Sequence, residues 1–362
     1  MKSGKILLLA LLVFLSSCGS KPEPAAPAPP ALKETPVPAQ PGAMDQPMNI
    51  PATNSMTVEK VALGKQLFFD TRLSKTGNMS CETCHLPDKG WTDGKALSPK
   101  FDGSMNTRHT PTLINVGFQQ NWYWDGRAKT LEGQVTAAWR GQMGADEALQ
   151  KEIATKLNGI EAYKRSFEEA TGGPATPESI AKVLATFVRS LRSENSPWDR
   201  YEKGDKSAVS ADVVAGFDVF SNTNKANCTL CHVPPLYTDV SFHNTGIGFD
   251  KPMPDQGRGK ILADAATAAK TTDPQAKEMM GAFKTPTLRS ITESGPYFHD
   301  GRSETLEDAV DLLLRGGIRA KNPTIDAKLK PKKLAGKERD QLLAFLKSLT
   351  PESKPFEKPQ IP

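Results

Sequence analysis

Cys81-Glu82-Thr83-Cys84-His85 and Cys228-Thr229-Leu230-Cys231-His232 are two copies of one pattern, a Cys-x-x-Cys followed at once by His. Two thiols at that spacing reach the two vinyl groups of a haem, and the next imidazole reaches its iron, so the pattern reads as attachment of c-type haem. A zinc cage of four thiolates is the structural alternative, but it leaves both histidines unexplained. An exported chain ordinarily spends an even number of cysteines on disulfides; here the spacing assigns the four thiols to haem. The expected cofactors are two covalently bound haems c, attached at Cys81, Cys84, Cys228 and Cys231, with His85 and His232 as iron ligands.

Outward from these motifs the two halves keep repeating each other. Thr110-Pro111-Thr112-Leu113 returns as Thr285-Pro286-Thr287-Leu288. Trp124-Asp125-Gly126-Arg127, followed by Leu131-Glu132, returns as His299-Asp300-Gly301-Arg302, followed by Leu306-Glu307. The spacing between the blocks is conserved, whereas the stretch from the haem His to the first block grows from 25 residues to 53. The second half therefore carries an insertion, which holds Met253, Met279 and Met280.

Helical periodicity is expected over Val58–Phe69, Asp146–Ala170, Pro177–Ser193, Ala211–Phe220, Thr305–Leu314 and Lys337–Leu349, with Thr57 as an N-cap, and strand patterns are scarce. The fold class is mainly α: two cytochrome c-like haem domains related by internal repeat, with long loops carrying most motifs. The expected segments are a leader at 1–17, a Pro/Ala-rich tether at 18–54, haem domains at 55–203 and 204–350, and a Pro-rich tail at 351–362.

Lys2 and Lys5 precede the apolar run Ile6 to Leu15, the layout of an export signal too short to span a membrane. Leu15-Ser16-Ser17-Cys18-Gly19 resembles the bacterial lipoprotein signal, which makes Cys18 the expected lipidated residue and puts the protein on the periplasmic side of the envelope, preferably at the outer membrane. Loss of the leader lowers the formal charge from +5 to +3. With no Lys/Arg cluster interleaved with aromatics, nucleic acid is not an expected partner.

Phe69-Asp70-Thr71-Arg72-Leu73-Ser74, the two haem motifs, Trp124-Asp125-Gly126-Arg127, Phe283-Lys284-Thr285-Pro286-Thr287-Leu288-Arg289 and Pro296-Tyr297-Phe298-His299-Asp300-Gly301 occur in the order found in the bacterial di-haem cytochrome c peroxidase/MauG family, which the chain resembles over roughly Val58 to Leu349. The resemblance implies a peroxidatic N-terminal haem and a C-terminal haem that stores an electron. Trp124 then takes the place of the tryptophan between the haems, where an indole helps carry charge; the plainer reading is an aromatic packed on an apolar cofactor. Gln134 matches a distal-pocket glutamine. Arg127 and Arg302 sit where a guanidinium pairs either with a haem propionate or with a neighbouring Asp.

Three departures bear on mechanism. The family's distal glutamate corresponds to Gln142, which precedes Met143; glutamine cannot exchange a proton, so Asp146 or Glu147 is expected to substitute or peroxide cleavage to be slow. The family's Met or Tyr ligand to the C-terminal haem falls on Leu313, leaving that iron five-coordinate or ligated by a residue such as Met279 or, by preference, Met280. The family's bridging calcium uses an Asn where this chain has His109, together with carbonyls near Ser294 and Pro296, which leaves calcium doubtful. His109, His243 and His299 otherwise read as structural residues.

The leading functional reading is a di-haem peroxidase reducing hydrogen peroxide with electrons from a small cytochrome c or copper protein. Because no His lies between His85 and His109, its peroxidatic iron is expected to be open without prior reduction. The alternatives are MauG-like oxidation of a protein side chain and a non-catalytic di-haem electron carrier. Dimerisation is common among relatives and implies a homodimer by analogy.

Overall fold

The computed structural model describes residues 47–319, 324–352 and 355–362. The expected leader, the lipid-bearing Cys18 and residues 18–46 of the tether lie outside the described residues. In chain order the helices are α1 (Val58–Phe68), α2 (Leu131–Gly141), α3 (Glu147–Asn158), α4 (Glu161–Thr171), α5 (Pro177–Arg189), α6 (Pro197–Glu202), α7 (Ala211–Ser221), α8 (Gly257–Ala268), α9 (Gln275–Glu278), α10 (Leu306–Leu314) and α11 (Glu338–Ser348). Two short strands, β1 (Phe242–His243) and β2 (Phe283–Lys284), pair antiparallel with Phe242 opposite Lys284. Among the described residues no helix is long and apolar enough to cross a membrane.

The expected helices form, with differences that have local causes. Thr57 caps α1 by accepting from the Lys60 amide, as a β-region Thr does at an N-cap. The single helix expected over Asp146–Ala170 is two: α3 ends at Gly159, and Ile160 takes an extended conformation before α4 begins. α2, α6, α8 and α9 were not expected. α2 holds Gly133, Val135 and Thr136, which weaken its intrinsic helical signal, and is started by Thr130 accepting from the Gly133 amide.

Packing is organised about two helix pairs, α1 on α5 and α7 on α11. Both crossings are close enough to require glycine. A Cβ on Gly64 would stand 2.0 Å from the Val183 carbonyl oxygen, and one on Gly216 would stand 1.9 Å from that of Gln341. The buried apolar side chains fall into two clusters, one around Phe68, Trp91, Trp139, Phe167 and Phe187, the other around Trp198, Phe220, Tyr237 and Phe345. Trp198 belongs to the second cluster although it precedes the expected junction at 203/204.

Candidate haem sites

Each haem motif begins a short 3-10 turn, Cys81–Thr83 in the first half and Cys228–Leu230 in the second. The tight turn carries each pair of thiols and the following imidazole into the loop beyond. There the His85 Nδ1–H donates to the Trp91 carbonyl at 2.7 Å, and the His232 Nδ1–H donates to the Tyr237 carbonyl at 2.9 Å. A carbonyl can only accept, so each ring carries its proton on Nδ1 and keeps the Nε2 lone pair, the arrangement by which metal-binding histidines are oriented. Both accepting residues are left-handed, Trp91 with φ 61 and Tyr237 with φ 53. A bulky residue in that region is held there by its surroundings.

Those surroundings correspond closely. Trp91 meets Phe68 at 5.7 Å and Phe187 at 5.9 Å between ring centroids. Tyr237 meets Phe220 at 5.9 Å and Phe345 at 6.0 Å. The Thr112 hydroxyl donates to the Gly90 carbonyl and the Thr287 hydroxyl to the Leu236 carbonyl, both at 2.6 Å, just before the left-handed residue. Burial pushes the His85 imidazole down to about 4, and His232 likewise downward, so both rings stay neutral, the form that ligates metal.

A cavity of about 520 Å³ opens beside His85, within the range of cofactor sites. Phe68, Cys81, Cys84 and His85 line it together with Trp124, Arg127, Gln134 and Gln142, so the structure brings these sequence-identified residues to one space. α2 supplies Gln134, and Gln142 caps its C-terminus. The Gln142 Nε2 donates to Asn106 Oδ1 at 3.3 Å, while its Oε1 is buried without a hydrogen-bond partner. Two thiols, a neutral imidazole, an apolar enclosure and an orphaned polar atom fit a covalently attached haem.

Trp124 is fixed at the junction of the two halves. Its Nε1–H donates to the His109 carbonyl at 2.8 Å and its own carbonyl accepts from the Lys284 amide at 2.8 Å, while the His109 amide donates to the His299 carbonyl at 2.7 Å. Its indole also meets the His299 ring edge-on at 6.4 Å. His299 is stacked on Phe283 at 3.6 Å, and the His109 Nδ1–H donates to the Lys95 carbonyl at 2.7 Å. His243 is clamped between Asp239 and Asp326. These three histidines therefore have structural partners.

Other expectations meet different outcomes. Asp146 is occupied as the N-cap of α3, accepting from the Leu149 amide, and exposed Glu147 pairs with Arg140 at 2.9 Å; neither lines the cavity, so neither replaces the missing distal acid. Arg127 pairs with Asp125 at 2.9 Å and lies 3.5 Å from the Tyr123 ring centre, yet still borders the cavity. Arg302 pairs with Asp300 at 2.7 Å and Asp250 at 2.9 Å. Leu313 lies on α10 with its side chain half-buried. The Met280 carbonyl accepts from Asn244 Nδ2 at 2.8 Å and Thr324 Oγ1 at 2.9 Å.

Sequence reasoning missed two cations at this site. Lys284 Nζ lies in the cavity, donating to the Asn121 carbonyl at 2.9 Å and to Gln119 Oε1, and burial pushes it down to about 7. Its register opposite His109 in the two Thr-Pro-Thr-Leu blocks was the available signal. Arg108 joins Asp125 at 2.5 Å to Asp255 of the insertion at 2.7 Å, a link between segments that no local pattern announces.

Residues 58–207 match the family described as di-haem cytochrome c peroxidase. The chain is 39% identical over 318 residues to the methylamine utilization protein MauG of Methylorubrum extorquens, covering 86% of this chain and 84% of the relative. It is 30% identical to cytochrome c551 peroxidase of Nitrosomonas europaea, covering 86% of each. A crystal structure of a MauG-like protein associated with microbial copper homeostasis superposes with a TM-score of 0.74 at 30% identity, covering 85% of this chain and 94% of that one. With this extent of identity and the paired histidine sites, the chain belongs to the di-haem cytochrome c peroxidase and MauG family, as a peroxidase-type oxidoreductase with two c-type haems.

Proposed function

We propose that the chain is an envelope peroxidase built as two haem modules with unequal duties, the first facing peroxide and the second holding an electron in reserve. Cys81, Cys84 and His85 would hold the first haem, and Cys228, Cys231 and His232 the second. When bound, such groups supply the redox chemistry by which hydrogen peroxide, two protons and two electrons become two waters. The observation that carries the assignment is the 520 Å³ cavity, where His85, Trp124, Gln134 and the unpartnered Oε1 of Gln142 meet.

The chain's own groups set the terms. Gln142 is able to accept a hydrogen bond from a bound peroxide through Oε1, but its amide does not relay a proton. Proton delivery would fall to solvent or to Lys284, the remaining titratable cavity group shifted toward neutrality. Trp124 would pass charge between the modules, a reading supported by its backbone partners from both halves. Met280 and calcium near His109 stay secondary proposals, as does haem propionate pairing by Arg127 and Arg302.

The repeat reading draws support from the matched His–carbonyl pairs, the two glycine crossings and the two aromatic clusters. A lipid on Cys18, the tether, periplasmic exposure, a small cytochrome or copper-protein donor and a homodimer complete the proposal. A MauG-like oxidation of a protein side chain is the second reading, favoured by the 39% identity to MauG. Electron paramagnetic resonance of the oxidised protein with both haems loaded, followed by peroxide turnover with a reduced small cytochrome, tests the proposal. One open high-spin iron with turnover supports it; two closed irons without turnover leave an electron carrier, and modification of a partner side chain in place of water formation selects the second reading.

A further inference from the structure

The last residues of the chain do something that their Pro-rich composition does not suggest. α11 ends in the second apolar cluster, with Leu349 fully buried there. Residues 355–362 then lie on the first half. Phe356 stacks on Phe69 at 5.6 Å with 18° between the planes and meets Trp91 edge-on at 5.1 Å. Lys65 Nζ sits 4.5 Å from the centre of the Phe356 ring. Lys358 forms an ion pair with Glu82, inside the first haem motif. Gln66 Nε2 donates to the Gln360 carbonyl at 3.4 Å, and Arg72 Nη2 donates to Pro362 O at 2.9 Å.

These contacts converge on the residues that orient His85. Trp91 supplies the carbonyl that accepts the His85 Nδ1–H, and it does so from a left-handed conformation that its packing must sustain. Phe68 and Phe187 hold two sides of the indole, and Phe356 holds a third. In the second half, Tyr237 keeps the equivalents of the first two but is braced by Arg289, whose guanidinium lies 5.6 Å from its ring and whose Nε donates to the Pro235 carbonyl at 2.6 Å. The tail supplies to the first site what a buried arginine supplies to the second.

We propose that residues 355–362 form a strap that positions His85, with Phe356 as a positioning residue acting through Trp91 and Lys358 tying the strap to the haem motif at Glu82. The inference rests on the reading of His85 as the axial ligand of the first haem. The strap also couples the sites: the chain that leaves the second cluster sets the ligand geometry of the first.

The test uses the full-length protein with both haems loaded, as Phe356→Ala, Phe356→Trp, Lys358→Gln and His85→Gly. Resonance Raman of the reduced protein reads the iron–imidazole stretch. The band lost in His85→Gly is that of the first haem; if His85→Gly loses no band, the axial-ligand reading fails, and the strap with it. Given that band, Phe356→Ala is expected to shift or broaden it, Phe356→Trp to restore it, and Lys358→Gln to shift it less in the same direction, with the signature of the other haem unmoved. An unmoved band in Phe356→Ala, or equal changes at both haems, overturns the proposal. Should Phe356→Ala fail to load haem, Lys358→Gln decides by the same criterion.

Discussion

The two histidine sites have the same backbone frame and different reinforcement. In both, a left-handed aromatic residue offers its carbonyl to the histidine, a threonine ties down the residue before it, and two phenylalanines flank its ring. The difference lies in the remaining support. Ile114 stands in the first half where Arg289 stands in the second, and the first site is closed by Phe356 from the tail. Arg289, 1% exposed, instead makes a two-pronged ion pair with Asp199 at 2.8 Å on both arms. One site is thus held by apolar contact with a distant segment, the other by a buried charge pair. Contact of the first kind gives under small motions, whereas a desolvated bidentate pair resists displacement.

Replacing His85 by Gly is the strongest way to break the comparison. Peroxide turnover should fall to background while the absorption spectrum of the second haem persists, as measured by stopped-flow reduction with a small cytochrome. The corresponding His232→Gly should keep ligand binding at the first haem and lose only electron supply.

Arg289→Met should destabilise the protein by about 3–5 kcal/mol, because it leaves Asp199 buried without its partner. Denaturant unfolding, followed at each haem separately, should show the loss first at the second. The same pair has an acid signature. Burial opposes ionisation of Asp199, but the Arg289 hydrogen bonds and charge outweigh it and hold the carboxyl below its usual range. A carboxylate depressed in the folded state contributes stability above its unfolded value of about 3.9 and loses it as pH falls through the folded value. The stability gap between wild type and Asp199→Asn should therefore be full at pH 6 and shrink below about pH 4.

Gly64→Ala and Gly216→Ala should each cost about 1–3 kcal/mol by forcing a helix pair apart. Thermal unfolding monitored at the haem of the affected half checks whether the two crossings fail independently. The smallest effect is expected from Thr112→Val and Thr287→Val, about 1–2 kcal/mol each, because each hydroxyl donates to a carbonyl and accepts from a backbone amide. Equal losses would support a shared backbone frame, and a larger loss at Thr112 would mark the first site as the more dependent on it.

Much of the site was readable in advance because its signals are local. The haem motifs are short strings whose chemistry is set by spacing and pointed to His85, the family resemblance pointed to Trp124, Gln134 and Gln142, and the structure brings the four to one cavity. α2 was missed because Gly133, Val135 and Thr136 dilute its intrinsic preference, and only packing of Leu131 and Trp139 into the core makes it a helix. Asp146 and Glu147 looked available as acids because proximity in sequence to Gln142 does not reveal that one caps a helix and the other faces solvent.

By itself, then, the sequence determined the two Cys-x-x-Cys-His motifs, the predominance of helix and the family, because thiol spacing, helical period and motif order are properties of neighbouring residues. Tertiary structure decided what surrounds each motif histidine. Phe356 reaches Trp91, Arg289 reaches Asp199 and Arg108 reaches Asp255 across long stretches of chain. Such pairings depend on how whole helices cross and where the chain returns, and no local pattern encodes them.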